Sequence, residues 1–357
     1  MIIRNITTQT ISIPLKLPFV TALRRVTEVM SIIVKVETSD GLVGWGETAP
    51  TAVITGDTAP SIIGAVNEVI KPTLLGLDLD EFDNALQKLH TCLVHNTSAI
   101  AAVDIALYDL RAQSARMPMY KLLGGAKQYI YTDITISLNS LEQMVTDSIA
   151  AVQAGFSILK IKTGKDWRQD VSAIKKIRAA VGDDVKLLVD ANQGYTPKDA
   201  VRAIRQMESE GVTLVEQPVN ARDLDGLRFV TQNVVVPILA DEAVFSTADA
   251  IKVITTGAAD MLNIKLMKTG GISEALRIIS VAEAYGVQCM MGCMMEGKIS
   301  VAAAAHLACA KNVITMADLD GPSLYANDPY TGGPSFGGQL ISMTKSNGIG
   351  TIFQHAR

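Results

Sequence analysis

Leu188-Val189-Asp190-Ala191-Asn192, Val215-Glu216-Gln217-Pro218 and Ala240-Asp241-Glu242 decide the fold and point to its chemistry. Each closes a short apolar run on an acid, and the three recur at the interval of one strand–helix unit. Lys160-Ile161-Lys162 stands one unit upstream, and Asn263-Ile264-Lys265 one unit downstream. The strand-like rhythm continues at Thr132–Ser137, Ile158–Lys162, Lys186–Asp190, Thr213–Glu216, Pro237–Ala240, Asp260–Lys265, Val287–Met291 and Val313–Asp318. Between them, Val171–Val181, Pro197–Glu210, Thr247–Thr256 and Ser273–Tyr285 carry helical apolar periodicity. Eight strands alternating with helices predict a closed β/α barrel. An open doubly wound sheet is the alternative, but no Gly-x-Gly-x-x-Gly follows any strand to support it.

The chain changes character near residue 125. Before it, Ile2 to Pro14 and Ser31 to Glu37 alternate as strands, Asp40-Gly41 marks a turn, and Ala99 to Ala115 has a helical pattern, together an α+β module. After residue 320 the tail is punctuated by Gly and Pro, with one strand-like run at Gln339–Met343. The expected organisation is a capping domain over 1–125, a barrel over 126–320 and a C-terminal segment, 321–357, that folds back to the cap.

At 357 residues, 48% hydrophobic and 19% charged, the composition is that of an ordinary globular protein with an aliphatic core. A net charge of -4 offers no basic stripe for a phosphate backbone, so nucleic acid is not an expected partner. Cys92, Cys289, Cys293 and Cys309 have no Cys-x-x-Cys spacing and fit a reducing cytoplasm. No run approaches the roughly 18 uninterrupted apolar residues of a membrane span, and the start lacks a signal-peptide pattern.

In a β/α barrel the active site is built at the C-terminal ends of the strands. Asp190, Glu216 and Asp241 end three consecutive strands, and carboxylates gathered there raise one another's pKa unless a cation neutralises them. An all-oxygen set favours magnesium, with manganese as substitute, over zinc. Taken singly, each acid could equally cap the following helix. Three on consecutive strands favour the metal.

Lys160 and Lys162 are two apart on one strand and so share a face. Lys265 ends a strand across the barrel mouth. A lysine acts as a base near neutral pH only when its pKa falls, and a nearby cation lowers it. Lys160 is expected to act so on Lys162, and the metal on both Lys162 and Lys265. Lys268, placed in a loop, is the lesser candidate. A metal flanked by two opposed lysines fits removal of a proton next to a carboxylate, with the resulting enediolate stabilised electrostatically and a base on each face permitting inversion.

On these residues the chain resembles the muconate-lactonising subgroup of the enolase superfamily over nearly its whole length. The matching positions are Gly44-Trp45-Gly46-Glu47 in the cap, then Lys160-Ile161-Lys162, Asp190-Ala191-Asn192, Glu216-Gln217-Pro218, Asp241-Glu242 and Lys265 in a (β/α)7β TIM-like barrel. The resemblance implies Asp190, Glu216 and Asp241 as ligands of one magnesium ion, Lys162 and Lys265 as the acid/base pair, and Lys160 as support.

Asp318 and Asp320 end the eighth strand two residues apart, where two carboxylates suit a substrate ammonium. This pair resembles the Asp-x-Asp signature of the dipeptide epimerases. The same resemblance implies that Arg24, in a loop spanning Phe19–Arg25, reads a substrate side-chain carboxylate, with Arg25 beside it as the alternative. Thr135 is expected to touch the substrate, Thr51–Asp57 to form a second cap loop whose Gly56 permits closure, and Cys293-Met294-Met295-Glu296 to line the side-chain pocket.

The implied reaction is interconversion of L-Ala-L-Glu and L-Ala-D-Glu. The alternative is a lyase or cycloisomerase, o-succinylbenzoate synthase or muconate cycloisomerase, on the same metal and lysines. None of His90, His95, His306 and His355 falls at a barrel strand end, which disfavours a His-Asp dehydratase. The expected partners are a small dipeptide and further copies of the chain.

Overall fold

Alternating apolar and polar residues build β1 (Ile3–Val20) and β2 (Arg25–Thr38), which pair antiparallel from Ile3↔Thr38 to Val20↔Arg25. β3 (Val43–Thr48) extends the sheet. In the computed structural model, which describes residues 1–354, this hairpin is longer than the sequence predicts. Phe19, Val20 and Arg25, expected in a loop, are paired, and only the four residues Thr21 to Arg24 turn. Thr21 builds that turn: its N–H donates to the Arg24 carbonyl at 2.9 Å, and its Oγ1 accepts from Leu23 and Arg24 N–H. Such a side-chain turn carries no Gly or Pro signal.

The helix Thr97–Ser114 lies across β3, buried along most of its length. A Cβ on Gly46 would fall 1.7 Å from the Ala102 carbonyl oxygen, so the Gly-Trp-Gly stretch reflects contact between helix and strand backbones. Ile6, Ile32, Val34, Leu74, Leu89, Val103 and Leu107 form the core of this unit.

β4 (Tyr129–Tyr131) leads into eight parallel strands: β5 (Ile134–Ile136), β6 (Ile158–Lys162), β7 (Lys186–Asp190), β8 (Val212–Glu216), β9 (Ile238–Ala240), β10 (Met261–Ile264), β11 (Gln288–Gly292) and β12 (Ile314–Asp318). They pair in chain order, as expected for a (β/α)7β barrel. Register places Lys162 beside Asp190, and Asp190 beside Glu216. Two residues below each acid, Leu188, Leu214 and Leu239 point the same way and join Met261 and Met290 in a separate apolar plug. The β5–β12 seam is sewn by Asp133 N–H to the Ala317 carbonyl (3.1 Å), Leu319 N–H to Thr132 Oγ1 (2.8 Å) and Thr135 N–H to Asp320 Oδ2 (2.7 Å).

Helices Leu141–Gln153, Leu224–Asn233 and Lys298–Ala310 were not legible in the sequence. Lys298–Ala310 is alanine-rich and buried nearly all round, so it has no polar face to reveal a period. Among the described residues no helix is long and apolar enough to cross a membrane.

The tail packs on both units. Tyr330–Gly332 pairs with Thr351–Phe353, while Ser335–Gly337 and Leu340–Ser342 extend β4 into a small sheet. The Gly348 carbonyl accepts from Met119 N–H at 2.9 Å and Gly348 N–H donates to the Met117 carbonyl at 3.0 Å, fastening the tail to the end of the cap. His306 completes the joint: its Nδ1 accepts from Tyr120 N–H at 3.0 Å, and its Nε2 donates to the Ile349 carbonyl at 3.1 Å. His90 lies on a cap helix and His95 in a cap loop; His355 lies outside the described residues.

Burial lowers the His306 pKa from 6.5 to about 4. Between those values the unfolded chain binds the proton more readily than the folded one, so the stability due to neutral His306 is complete above pH 6.5 and lost as pH falls toward 4. The thermal midpoint should therefore drop over that window by the equivalent of about 3 kcal/mol. The difference between wild type and His306→Gln, measured by calorimetry across the same pH range, isolates this share.

Candidate active site

Strained backbone follows the acid-bearing strands. Asn192 and Gln193 have φ of 40° and 68°, and Gln217 has φ of 35°, all in the left-handed region without being glycine. Hydrogen bonds hold them there. Asn192 N–H donates to Asp190 Oδ1 (2.9 Å), Gln193 Oε1 accepts from Ala221 N–H (2.9 Å), and Gln217 Oε1 accepts from Asp241 N–H (2.9 Å) and Ala243 N–H (3.2 Å). Gln217 thus ties the end of β8 to the acid that follows β9.

The three predicted metal ligands are almost wholly buried and interleaved with lysines. Lys162 Nζ lies 2.5 Å from Asp190 Oδ2, and Lys265 Nζ lies 2.7 Å from Asp241 Oδ2. Lys160 Nζ reaches Glu216 Oε2 at 2.6 Å, Asp318 Oδ2 at 2.6 Å and Asp190 Oδ2 at 3.2 Å. Burial favours a neutral Asp190, but Lys162 and Lys160 outweigh it and bring the carboxyl down to about 2. Glu216 is pushed up to about 7 by burial and by Asp190.

Two of the lysines are governed by the acids that face them. Burial opposes the charged forms of Lys160 and Lys265, yet the facing carboxylates prevail and hold both above the ordinary lysine range. A divalent cation bound by Asp190, Glu216 and Asp241 would take up the charge of those carboxylates and remove this upward pull on Lys265.

Lys268 departs from the sequence expectation. It lies on the one-turn helix Leu266–Thr269 and is fully buried. Its Nζ donates to Asp241 Oδ1 (2.7 Å), to the Asn263 carbonyl (2.9 Å) and to the Asp241 carbonyl, so it fixes Asp241 from behind the cleft. Asn263 donates to Glu216 Oε1 at 2.8 Å, and Asn192 donates to Glu242 Oε1 at 3.3 Å. These roles were not read from the sequence; a Lys within Leu-Met-Lys-Thr and an Asn within Leu-Asn-Ile carry no spacing signal.

The arrangement fits a hard divalent cation. The donors are carboxylate oxygens, their charge is at present shared by ammonium groups, and buried oxygens of Asn192, Glu242 and Asn263 lack a hydrogen-bond donor. The tightest acidic cluster among the described residues is a different one: oxygens of Asp133, Asp318 and Asp320 lie within 4.8 Å of one another. Asp190, Glu216 and Asp241 are bridged instead by lysine ammoniums, Asp190 and Glu216 by Lys160, and Glu216 and Asp241 by Lys265.

Above this floor is a cleft lined by Phe19, Thr21, Leu23, Arg24, Val53, Ile54, Thr135, Asn192 and Glu242, with Lys162, Asp241 and Lys265 at its base and Cys293, Met294, Met295, Asp318 and Asp320 on its far wall. Lys160, Asp190 and Glu216 lie beneath and do not line it. Arg24 faces the cleft half-buried; burial lowers its pKa, and no ion pair within the described residues engages it. Arg25 is exposed and does not line the cleft.

Glu296 departs from expectation. It turns away from the cleft, accepting from Met294 N–H (3.3 Å) and Ser300 Oγ (3.0 Å). The Thr51–Asp57 loop presents Val53 and Ile54 to the cleft while Asp57 accepts from Ser98 N–H at 3.1 Å, which pins its base to the helix Thr97–Ser114. A larger groove of about 1000 Å³ runs along the cap–barrel seam and shares Val53, Ile54 and Glu242 with the cleft.

Residues 3–124 match the mandelate racemase / muconate lactonizing enzyme N-terminal domain, and residues 143–356 match the enolase C-terminal domain-like family. The chain is 51% identical over 352 residues to the L-Ala-D/L-Glu epimerase of Clostridium acetobutylicum, covering 98% of each. It is 48% identical over 355 residues to the L-Ala-D/L-Glu epimerase of Bacillus subtilis, covering 99% of this chain and 97% of that one. A substrate-liganded structure of the Bacillus subtilis enzyme superimposes with a TM-score of 0.97 at 47% identity over 99% of each chain. The Enterococcus faecalis dipeptide epimerase complexed with Mg and the dipeptide L-Leu-L-Tyr superimposes with a TM-score of 0.96 at 41% identity, over 98% of this chain and 99% of that one. Barrel, lysine-bridged acids and these matches across both units agree, and the chain belongs to the enolase superfamily, in its mandelate racemase / muconate lactonizing enzyme branch.

Proposed function

We propose that this protein is a magnesium-dependent dipeptide epimerase, with manganese as a substitute metal, that interconverts L-Ala-L-Glu and L-Ala-D-Glu. Its relatives at 41–51% identity are epimerases, so the chain is an isomerase acting on dipeptides. The observation that carries the mechanism is the pair Lys162 and Lys265, both opening into one cleft and each seated on a different acid.

One lysine removes the α-proton next to the substrate carboxylate, and the other returns a proton from the opposite face. A divalent cation held by Asp190, Glu216 and Asp241 would take up their charge and stabilise the negative charge that builds on the substrate carboxylate. Lys160 holds Asp190, Glu216 and Asp318 in place. Lys268 does the same for Asp241. Asp318 and Asp320 seat the free ammonium, and the unpaired Arg24 guanidinium meets the Glu side chain through its planar fork.

In deuterated water with magnesium, Ala-Glu should exchange its Glu α-proton with inversion, followed by NMR and polarimetry. Either Lys162→Ala or Lys265→Ala should cut inversion by about a thousandfold, while the remaining lysine still exchanges the α-proton of one epimer. Loss of exchange from both epimers in each variant would remove the two-base assignment.

Arg24→Gln should raise KM for Ala-Glu by about tenfold or more and leave Ala-Leu nearly unchanged; equal effects on both dipeptides would show that Arg24 does not read the side chain. A Cβ on Gly292 would lie 2.8 Å from Lys265 Cε and 2.6 Å from Asn263 Oδ1. Gly292→Ala should therefore lower kcat by about a hundredfold through a displaced Lys265, and lower the thermal midpoint as well because the clash falls within a buried, ion-paired network.

A further inference from the structure

Asp133 stands directly before β5 and is fully buried, and no protein donor reaches either of its carboxylate oxygens. Its N–H is committed to the Ala317 carbonyl across the seam, which turns its side chain toward the Asp318–Asp320 pair. The neighbouring groups already have partners. Lys160 spends its ammonium on Asp318, Glu216 and Asp190, and Asp320 accepts Thr135 N–H at 2.7 Å. Three ionised carboxylates this close, facing one shared ammonium, repel strongly enough that one must hold a proton. Of the three, Asp318 accepts from Lys160 and Asp320 from Thr135 while Asp133 receives no donor, so the proton resides on Asp133. Burial and the Asp318 charge both act in that direction.

We propose that Asp133 is a positioning residue: its neutral carboxyl donates a hydrogen bond to the Asp318 carboxylate and fixes the Asp318–Asp320 pair as a receptor for the substrate ammonium. Asp318 is then held from two sides, by Lys160 and by Asp133, and its charge is directed into the cleft. An ionised Asp133 would instead make the cluster a three-carboxylate site suited to a divalent cation. This inference rests on reading the pair as the seat of the ammonium group.

The test compares wild type, Asp133→Asn and Asp133→Ala with magnesium present. An amide can donate to Asp318 as the neutral acid does, so Asp133→Asn should keep KM for Ala-Glu within about threefold of wild type. Asp133→Ala should raise KM by about tenfold or more with kcat little changed, because a hydrogen bond to a charged group is lost. Equal damage in the two variants would mean that the carboxylate charge itself is needed, and no change in KM for either would mean that Asp133 positions nothing; both overturn the proposal.

An infrared difference spectrum of wild type minus Asp133→Asn near neutral pH should show the carbonyl stretch of a protonated carboxylic acid, and its absence overturns the proposal whatever the substrate. Where wild type epimerises no dipeptide, the dipeptide reading falls with the ammonium seat. The bond from Asp133 to Asp318 then stands or falls on that infrared band alone.

Discussion

Charge compensation at the C-terminal ends of the barrel strands is the interaction on which the rest of the site depends. Asp190, Glu216, Asp241 and Asp318 are buried acids, and Lys160, Lys162, Lys265 and Lys268 are buried bases that touch them. Each ion taken alone from water costs several kcal/mol, and removing one partner leaves the other uncompensated. No member can be placed independently. The strand register that sets Lys162 beside Asp190, and Asp190 beside Glu216, is therefore part of the charge balance as well as of the sheet.

A further buried acid, Glu47, extends this dependence to the cap. Glu47 accepts from Ser31 Oγ at 2.7 Å, from Ile299 N–H at 2.9 Å and from the Tyr330 hydroxyl, so one carboxyl joins the cap sheet, the helix Lys298–Ala310 and the tail. Burial pushes its pKa up to about 7. The hairpin that carries Arg24 is thereby fixed relative to the strand ends, and a residue far from Lys162 in the chain comes to face it across a cleft. His306 provides a similar joint at the other end of the tail.

The same constraint explains where sequence reasoning met its limit. Asp190, Glu216, Asp241, Lys162 and Lys265 were legible because strand periodicity places residues at strand ends and barrel geometry brings those ends together. Lys268, Asn263, Gln217 and Asp133 were not, because their roles come from contacts between strands whose pairing has no local signature. The upward shift of the Lys160 and Lys265 pKa values in the absence of a cation has no local signature either. It depends on which anions each ammonium touches, and only coordinates supply that. Glu296 was placed on the cleft by its position after β11, whereas the loop turns it toward Ser300.

By itself the sequence determined the barrel, the cap, the acids at consecutive strand ends and the opposed lysines, since these follow from periodicity and spacing along the chain. The tertiary structure decided which lysine compensates which acid, that Lys160 lies beneath the cleft, and that Arg24 rather than Arg25 faces it. It also decided that Asp133 stands against Asp318. These are outcomes of burial and of long-range pairing: a buried charge takes its state from every group packed around it, and those groups are distant in sequence.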